Sequence, residues 1–326
     1  MNKRMIYLIS LIAEMAKKLN IQNVYSKKFQ ASGIEYLSPT EIIRIEDMTD
    51  FFVTAGIVGR TDVLPVVGKD GHQIIEFEPD IIGAQYFYSP TDLITVQAGV
   101  PVITETGNEI SSMEQLEAKA ARILAAAIEN RFEKQCAQVY LKGTYVDKDG
   151  KTLNVGVTNE ETLNWTAKTK YSDEILKLAL DYQSLHGEFP KIEVGLTVFN
   201  ALKNEANDTR QNINNVKFVY GENPYLEIGG QLKVELLVNA KGTDDKVIDV
   251  KDLMILSTSS NLAVGYGCLA YGDVKTNSSK LVKGKTVAGD LRVEEMTGSA
   301  GLWSKSAPMP ILLSLNKFKR YKVTIA

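Results

Sequence analysis

Residues 111–145, SSMEQLEAKAARILAAAIENRFEKQCAQVYLKGTY, decide the fold class. Ser111, Ser112 and Glu114 are residue types that cap the beginning of a helix, and Gly143 suits the position just after a helix end. The segment therefore predicts one helix of roughly 45 Å, which is long enough to act as a structural beam. Its predicted buried stripe contains Leu116, Ala120, Ile123, Leu124, Ala127, Ile128, Gln135, Cys136 and Val139.

The chain after the long helix changes between strand-like and helical patterns. A hairpin with a polar turn at Gly150 is predicted first, and Gly187 closes a later helix. Helices are predicted at 172–185 and 199–206, and strands at 191–198, 232–238, 247–256, 308–315 and 320–325. We therefore expect an α+β fold.

The N-terminus contains an apolar run behind Lys3 and Arg4 that imitates a secretory signal. Glu14 and Lys17 follow at once, and the apolar residues from Met5 onward recur at helical spacing. An amphipathic helix is therefore the better interpretation. Since no stretch reaches the about 18–20 apolar residues of a membrane span, no membrane partner is expected.

Two segments before the long helix lack a core of their own. Residues 21–50 have little periodicity and predict an extended arm. Residues 51–104 carry an Asp70-Gly71 hairpin signal and short β-prone pieces that are separated by prolines and glycines. Because isolated hairpins are only marginally stable in water, this region needs a neighbour to pack against.

Composition excludes several functions. The chain has 326 residues and a formal charge of −3, without a basic block, so tight nucleic-acid binding is not expected. Its two cysteines, Cys136 and Cys268, form no metal-ligand spacing and fit a reducing cytoplasm. Cys136 lies on the predicted apolar helix face and is interpreted as a buried thiol.

Several motifs together resemble one known family. Residues 140–145 read YLKGTY, residues 231–238 QLKVELLV, residues 249–256 DVKDLMIL, residues 266–268 YGC and residues 306–313 SAPMPILL. They are similar, in this order, to segments of the phage lambda major capsid protein family. The resemblance covers residues 60–326, whereas the assignment of the first 50 residues depends on their position and pattern.

The resemblance implies the Hong-Kong-97-type phage capsid fold. It implies an N-terminal arm at 1–50, an extended E-loop at 51–103, a peripheral domain with the long spine helix at 104–170, an axial domain at 171–300, and C-terminal strands at 301–326 that return to the peripheral domain. It also implies a structural protein, not an enzyme, that needs no cofactor and self-assembles as hexamers and pentamers into an icosahedral head shell.

The same resemblance implies partners and a location. The shell would enclose phage DNA without sequence-specific binding, and scaffold, portal and possible decoration proteins would bind it. Assembly would take place in the host cytoplasm, and the product would be the virion capsid. A nanocompartment shell of the encapsulin type shares this fold and is the main alternative, while an ordinary α+β enzyme is a weaker one.

The E-loop supplies the expected contacts between subunits. Its hairpin is too thin to bury both faces, so neighbouring copies would cover its apolar side chains. The arm helix adds two more residues of the same kind. The expected inter-subunit residues are Leu64, Val66, Ile74, Ile75, Phe77, Tyr86 and Phe87, together with Leu8 and Ile12.

Three patterns imitate catalytic sites. Gly265, Gly267 and Ala270 match a relaxed dinucleotide fingerprint, but the sequence behind them does not predict the helix that such a site requires. His72 and His186 both lie beside glycines and are interpreted as solvated boundary residues. Paired carboxylates such as those at 160–161 and 244–245 are interpreted as solvated turns, so no catalytic residue is predicted.

Overall fold

The computed structural model describes residues 3–18, 23–44, 76–88, 112–147, 149–150, 152–155, 160–166, 169–208, 214–221, 224–273, 278–291, 300–313 and 317–325. Within these ranges the helices are α1 Lys3–Lys18, α2 Tyr25–Ala31, α3 Ser112–Lys142, α4 Tyr171–His186 and α5 Leu196–Asn207.

The strands are shorter and more numerous than the helices. They are β1 Glu35–Leu37, β2 Ile43–Arg44, β3 Glu76–Phe77, β4 Ile82–Tyr88, β5 Thr144–Val146, β6 Thr152–Asn154, β7 Glu160–Trp165, β8 Lys191–Val194, β9 Lys217–Val219, β10 Tyr225–Ile228, β11 Leu232–Leu236, β12 Ala240–Lys241, β13 Val247–Ile248, β14 Leu253–Ser257, β15 Leu262–Tyr266, β16 Leu269–Asp273, β17 Ser278–Val282, β18 Val287–Leu291, β19 Ala300–Ser306, β20 Pro308–Leu312 and β21 Lys319–Ile325.

The chain forms two compact units, each built from separate segments. Unit 1 contains Met1–Asn23, Glu35–Phe132 and Gly265–Met309, and unit 2 contains Val24–Ile34, Glu133–Val264 and Pro310–Ala326. Helix α3 begins in unit 1 and ends in unit 2.

The predicted long helix is confirmed as α3, a helix of 31 residues. Gly143 follows it with a φ of 65°, and its N–H donates to the Val139 carbonyl at 2.8 Å. The predicted stripe is wrong at two positions, because Ile123 and Ala127 are exposed while Ala121 and Ala125 are buried. All residues from 135 to 141 are buried, so the C-terminal part of this helix is covered on every side and one stripe cannot describe it.

Unit 1 combines helices with a small antiparallel sheet of order β18-β19-β4. Strand β4 pairs with β19 over its whole length, from Ile82 opposite Ser306 to Tyr88 opposite Ala300. The apolar faces of α1 and the N-terminal half of α3 form a core with residues of this sheet. Strands β16 and β17 add a hairpin.

Unit 2 is built on a seven-stranded mixed sheet of order β7-β21-β14-β8-β11-β10-β9. The final strand β21 lies parallel to β7 and antiparallel to β14. Residues of α4 and α5 share one apolar core with this sheet. The predicted strand at 308–315 is confirmed as β20 and the one at 320–325 as β21.

Three other predictions need correction. The arm at 21–50 contains the helix α2, which was not predicted. Strand β8 ends at Val194, so α5 begins three residues earlier than its predicted start at 199. The predicted strand at 247–256 is divided into β13 and β14. The Asp70-Gly71 hairpin lies outside the described residues.

Candidate assembly surface

Helix α1 packs onto unit 1 through one apolar face. Leu8 and Ile12 are buried in a core with residues of α3 and β19, and Met5 is buried in a second cluster beside Leu269. The i, i+3, i+7 spacing of Met5, Leu8 and Ile12 places all three on the same side of the helix. The predicted amphipathic helix is therefore confirmed, and its buried face is covered by this same chain.

Arg4 adds a polar connection between three elements of unit 1. Its Nη2 lies 2.5 Å from Oε1 of Glu117 on α3 and 3.0 Å from Oδ1 of Asp290 on β18. These two hydrogen bonds, first that to Glu117, raise the pKa of Arg4 above its ordinary value. Glu117 is itself buried at 8% exposure, whereas the Arg4 and Asp290 side chains are 39% and 47% exposed, so only the Glu117 end of this network is shielded from water.

The predicted inter-subunit residues occupy different environments. Leu8, Ile12 and Phe77 are buried within the chain, so their burial requires no neighbour. Tyr86 is half-buried, whereas Phe87 is 56% exposed on β4. Leu64, Val66, Ile74 and Ile75 lie outside the described residues, and a contact of any of these nine residues with a neighbouring copy stays a prediction.

Strand β4 has the features of an adhesive edge. In the described sheet it lies at the end of the strand order and pairs with β19. Its seven residues, IGAQYFY, contain neither a charged residue nor a proline. Because lysines, prolines and short length normally protect edge strands against pairing with other chains, this strand is suited to contact a partner.

Other exposed apolar side chains were not predicted from sequence. In unit 1 these are Ile6, Tyr7, Ile42, Ile81, Ile123 and Leu281, and in unit 2 they are Leu180, Leu185, Phe189, Leu196, Tyr220, Val238 and Val247. Ile6 and Tyr7 could have been found, because they lie off the stripe that Met5, Leu8 and Ile12 define. Large apolar side chains on a surface are typical of sites that contact other proteins when they are grouped.

A second part of the arm is attached within unit 2. The first N–H groups of helix α2 have partners, because the Glu133 carboxylate accepts hydrogen bonds from those of Val24, Tyr25 and Ser26 at 2.7–3.0 Å. The Tyr25 hydroxyl donates to the Val238 carbonyl. Burial is the main cause that raises the pKa of Tyr25.

Lys28 joins α2 to the sheet of unit 2. Its Nζ lies 2.6 Å from both carboxylate oxygens of Glu193 on β8, and the Tyr140 hydroxyl donates to the same carboxylate at 2.7 Å. Burial lowers the pKa of Lys28 and raises that of Tyr140 well above its ordinary range. The Lys28 ammonium also lies 4.5 Å from the centre of the Tyr140 ring, so α2 is fixed by charge and by aromatic contact.

The fold explains the glycine motif and the environment of His186, whereas His72 lies outside the described residues. Gly265 lies in β15 and Gly267 directly follows this strand, and the hairpin β16–β17 comes where a dinucleotide site would need a helix. His186 ends α4, and its ring centre lies 4.5 Å from that of Tyr182. The side chain is half-buried, so the prediction of a solvated residue is wrong for His186. Cys136 and Cys268 are both buried thiols, as predicted for Cys136.

Metal-binding clusters and membrane-spanning helices are both absent from the described part of the chain. No cluster of three or more His, Cys, Asp or Glu side chains there could hold a metal ion. None of its helices has the length and apolar character that crossing a bilayer requires.

Comparisons with known proteins identify the family. The family model of phage major capsid protein E matches residues 12–313. No curated protein matches the chain. The structure is similar to a protein assigned as a prophage capsid protein from E. coli CFT073, with 14% identity, a TM-score of 0.61, and coverage of 99% of this chain and 100% of that chain.

Two further solved structures have weaker likeness. A phage-related protein from Bordetella bronchiseptica RB50 has 11% identity and a TM-score of 0.50, with 96% of each chain covered. The holo-SrpI encapsulin complex from Synechococcus elongatus PCC 7942 has 10% identity and a TM-score of 0.45, with 90% of this chain and 86% of that chain covered. The likeness to the encapsulin is too small to support an argument.

The mixed helix-and-sheet architecture is that of a shell-forming capsid protein, with the Hong-Kong-97-type fold that the sequence motifs implied. The chain belongs to the phage major capsid protein E family, whose model matches almost its whole length. The resemblance to the lambda-type capsid proteins is thus confirmed, and family membership indicates a structural role in the virion capsid.

Proposed function

We propose that copies of this chain assemble, as hexamers and pentamers, into the icosahedral head shell that encloses a phage genome. The observation that carries this proposal is the capsid family match over residues 12–313. The formal charge of −3 suits a shell that encloses DNA without binding it tightly, since neutralising phosphates requires an excess of lysine and arginine.

The contacts between copies would be made by apolar side chains that the chain itself leaves uncovered. Phe87 and Ile81 are each more than half exposed, and both lie on or beside the uncharged strand β4. Removing such side chains from water favours association by roughly 25 cal/mol per Å² of apolar surface, before the entropy cost of association is subtracted. Many modest contacts of this kind, repeated by symmetry, would close a shell.

We also propose the domain assignment that the family resemblance implies. We assign residues 1–50 to the arm, 51–103 to the E-loop, 104–170 to the peripheral domain, 171–300 to the axial domain and 301–326 to the returning strands.

Scaffold, portal and decoration proteins would bind the shell during assembly in the host cytoplasm. Deletion of residues 60–80 should leave a soluble protein that forms no particles, and particles of normal size from this variant would contradict the E-loop assignment.

The contents of purified particles test the function. Particles isolated from infected cells should contain this chain as the main shell protein and phage DNA inside, as measured by nuclease-protected DNA and electron microscopy. Shells that enclose a cargo enzyme and no DNA would instead establish the encapsulin-type alternative. A stable monomer that binds a small molecule saturably would support the α+β enzyme.

A further inference from the structure

We draw no further inference here: the strongest candidate, the aromatic patch of Phe218 and Tyr220 at β9, the terminal strand in the order of the described seven-stranded sheet, is an exposed surface for which nothing in the structure shows what covers it.

Discussion

Lys28 of α2 places its Nζ 2.6 Å from both carboxylate oxygens of Glu193, whose side chain is only 2% exposed on β8. A segment close to the N-terminus is thereby connected to the middle of the seven-stranded sheet. A buried ion pair is stable only when both partners are present, because each charge compensates for the desolvation of the other.

Glu193→Gln should destabilise the protein by about 3–5 kcal/mol, because it leaves the Lys28 ammonium buried without its counter-charge. The double variant Lys28→Met/Glu193→Gln should recover part of this loss. Urea unfolding monitored by circular dichroism measures the free energy of unfolding of the single and the double variant. Lys251→Met is the control, since its pair with Asp249 is about 60% exposed on both sides and should contribute less than about 1 kcal/mol. Equal effects of Glu193→Gln and the control would refute the prediction.

Arg4→Met should loosen α1 without unfolding the rest of unit 1. Loss of its hydrogen bonds to Glu117 and Asp290 should cost about 1–3 kcal/mol, because Glu117 remains buried without a partner cation. Hydrogen exchange of residues 3–18 should become faster. Lys18→Met removes only the exposed pair with Glu14 and should leave this exchange nearly unchanged. The prediction fails if both variants exchange alike.

Gly195→Ala should be strongly destabilising although the φ of −70° at this position suits any residue. A Cβ there would lie 1.9 Å from the Val250 carbonyl oxygen and 2.3 Å from that of Lys251, so the backbone would have to move. We expect a loss of about 1–3 kcal/mol or more. Thermal unfolding measures the stability of this variant and of the control Gly221→Ala, where a Cβ meets no atom within 4 Å. The control should change the free energy of unfolding by less than about 0.5 kcal/mol.

Alkaline pH should destabilise unit 2 through its buried tyrosines. Burial raises the pKa of Tyr182 from 10.0 to about 12. The unfolded chain therefore loses this proton first, so the stabilising contribution is complete below pH 10.0 and is lost as pH rises to about 12. Urea midpoints measured across this range should fall less in Tyr182→Phe than in the wild type. An identical fall of the urea midpoint in both proteins would show that Tyr182 does not cause the alkaline loss of stability.

Phe87→Ser should impair assembly and leave the folded subunit intact. The Phe87 side chain is 56% exposed, so its loss should change subunit stability by less than about 0.5 kcal/mol. Sedimentation velocity should show fewer particles. Gln85→Ser changes an exposed polar residue on the same strand and should assemble normally. Normal particle yield from Phe87→Ser would exclude this side chain from the contact between copies.

Local patterns predicted the longest elements of this fold. The caps and spacing around α3 predicted its existence and its end at Gly143, because these signals act within a few residues. Helix α2 was missed because its first N–H groups are accepted by Glu133, more than 100 residues away. Ile123 was placed on the buried stripe because periodicity counts apolar residues, whereas tertiary packing decides which sides are covered.

The candidate surface could be predicted only in part. Sequence identifies apolar residues, but it does not tell whether the same chain or a neighbour covers them. All three of these residues were predicted to contact neighbouring copies, but Leu8 and Phe77 are buried by their own chain and only Phe87 is exposed. The ion pair between Lys28 and Glu193 could not be predicted at all, because folding brings these two residues together and they have no common sequence pattern.

Electron microscopy of the wild-type protein, expressed alone and concentrated, tests the central claim most directly. We expect closed shells or rings of five and six subunits, with a matching fast-sedimenting species. Only compact single chains at every concentration would contradict assembly through identical copies.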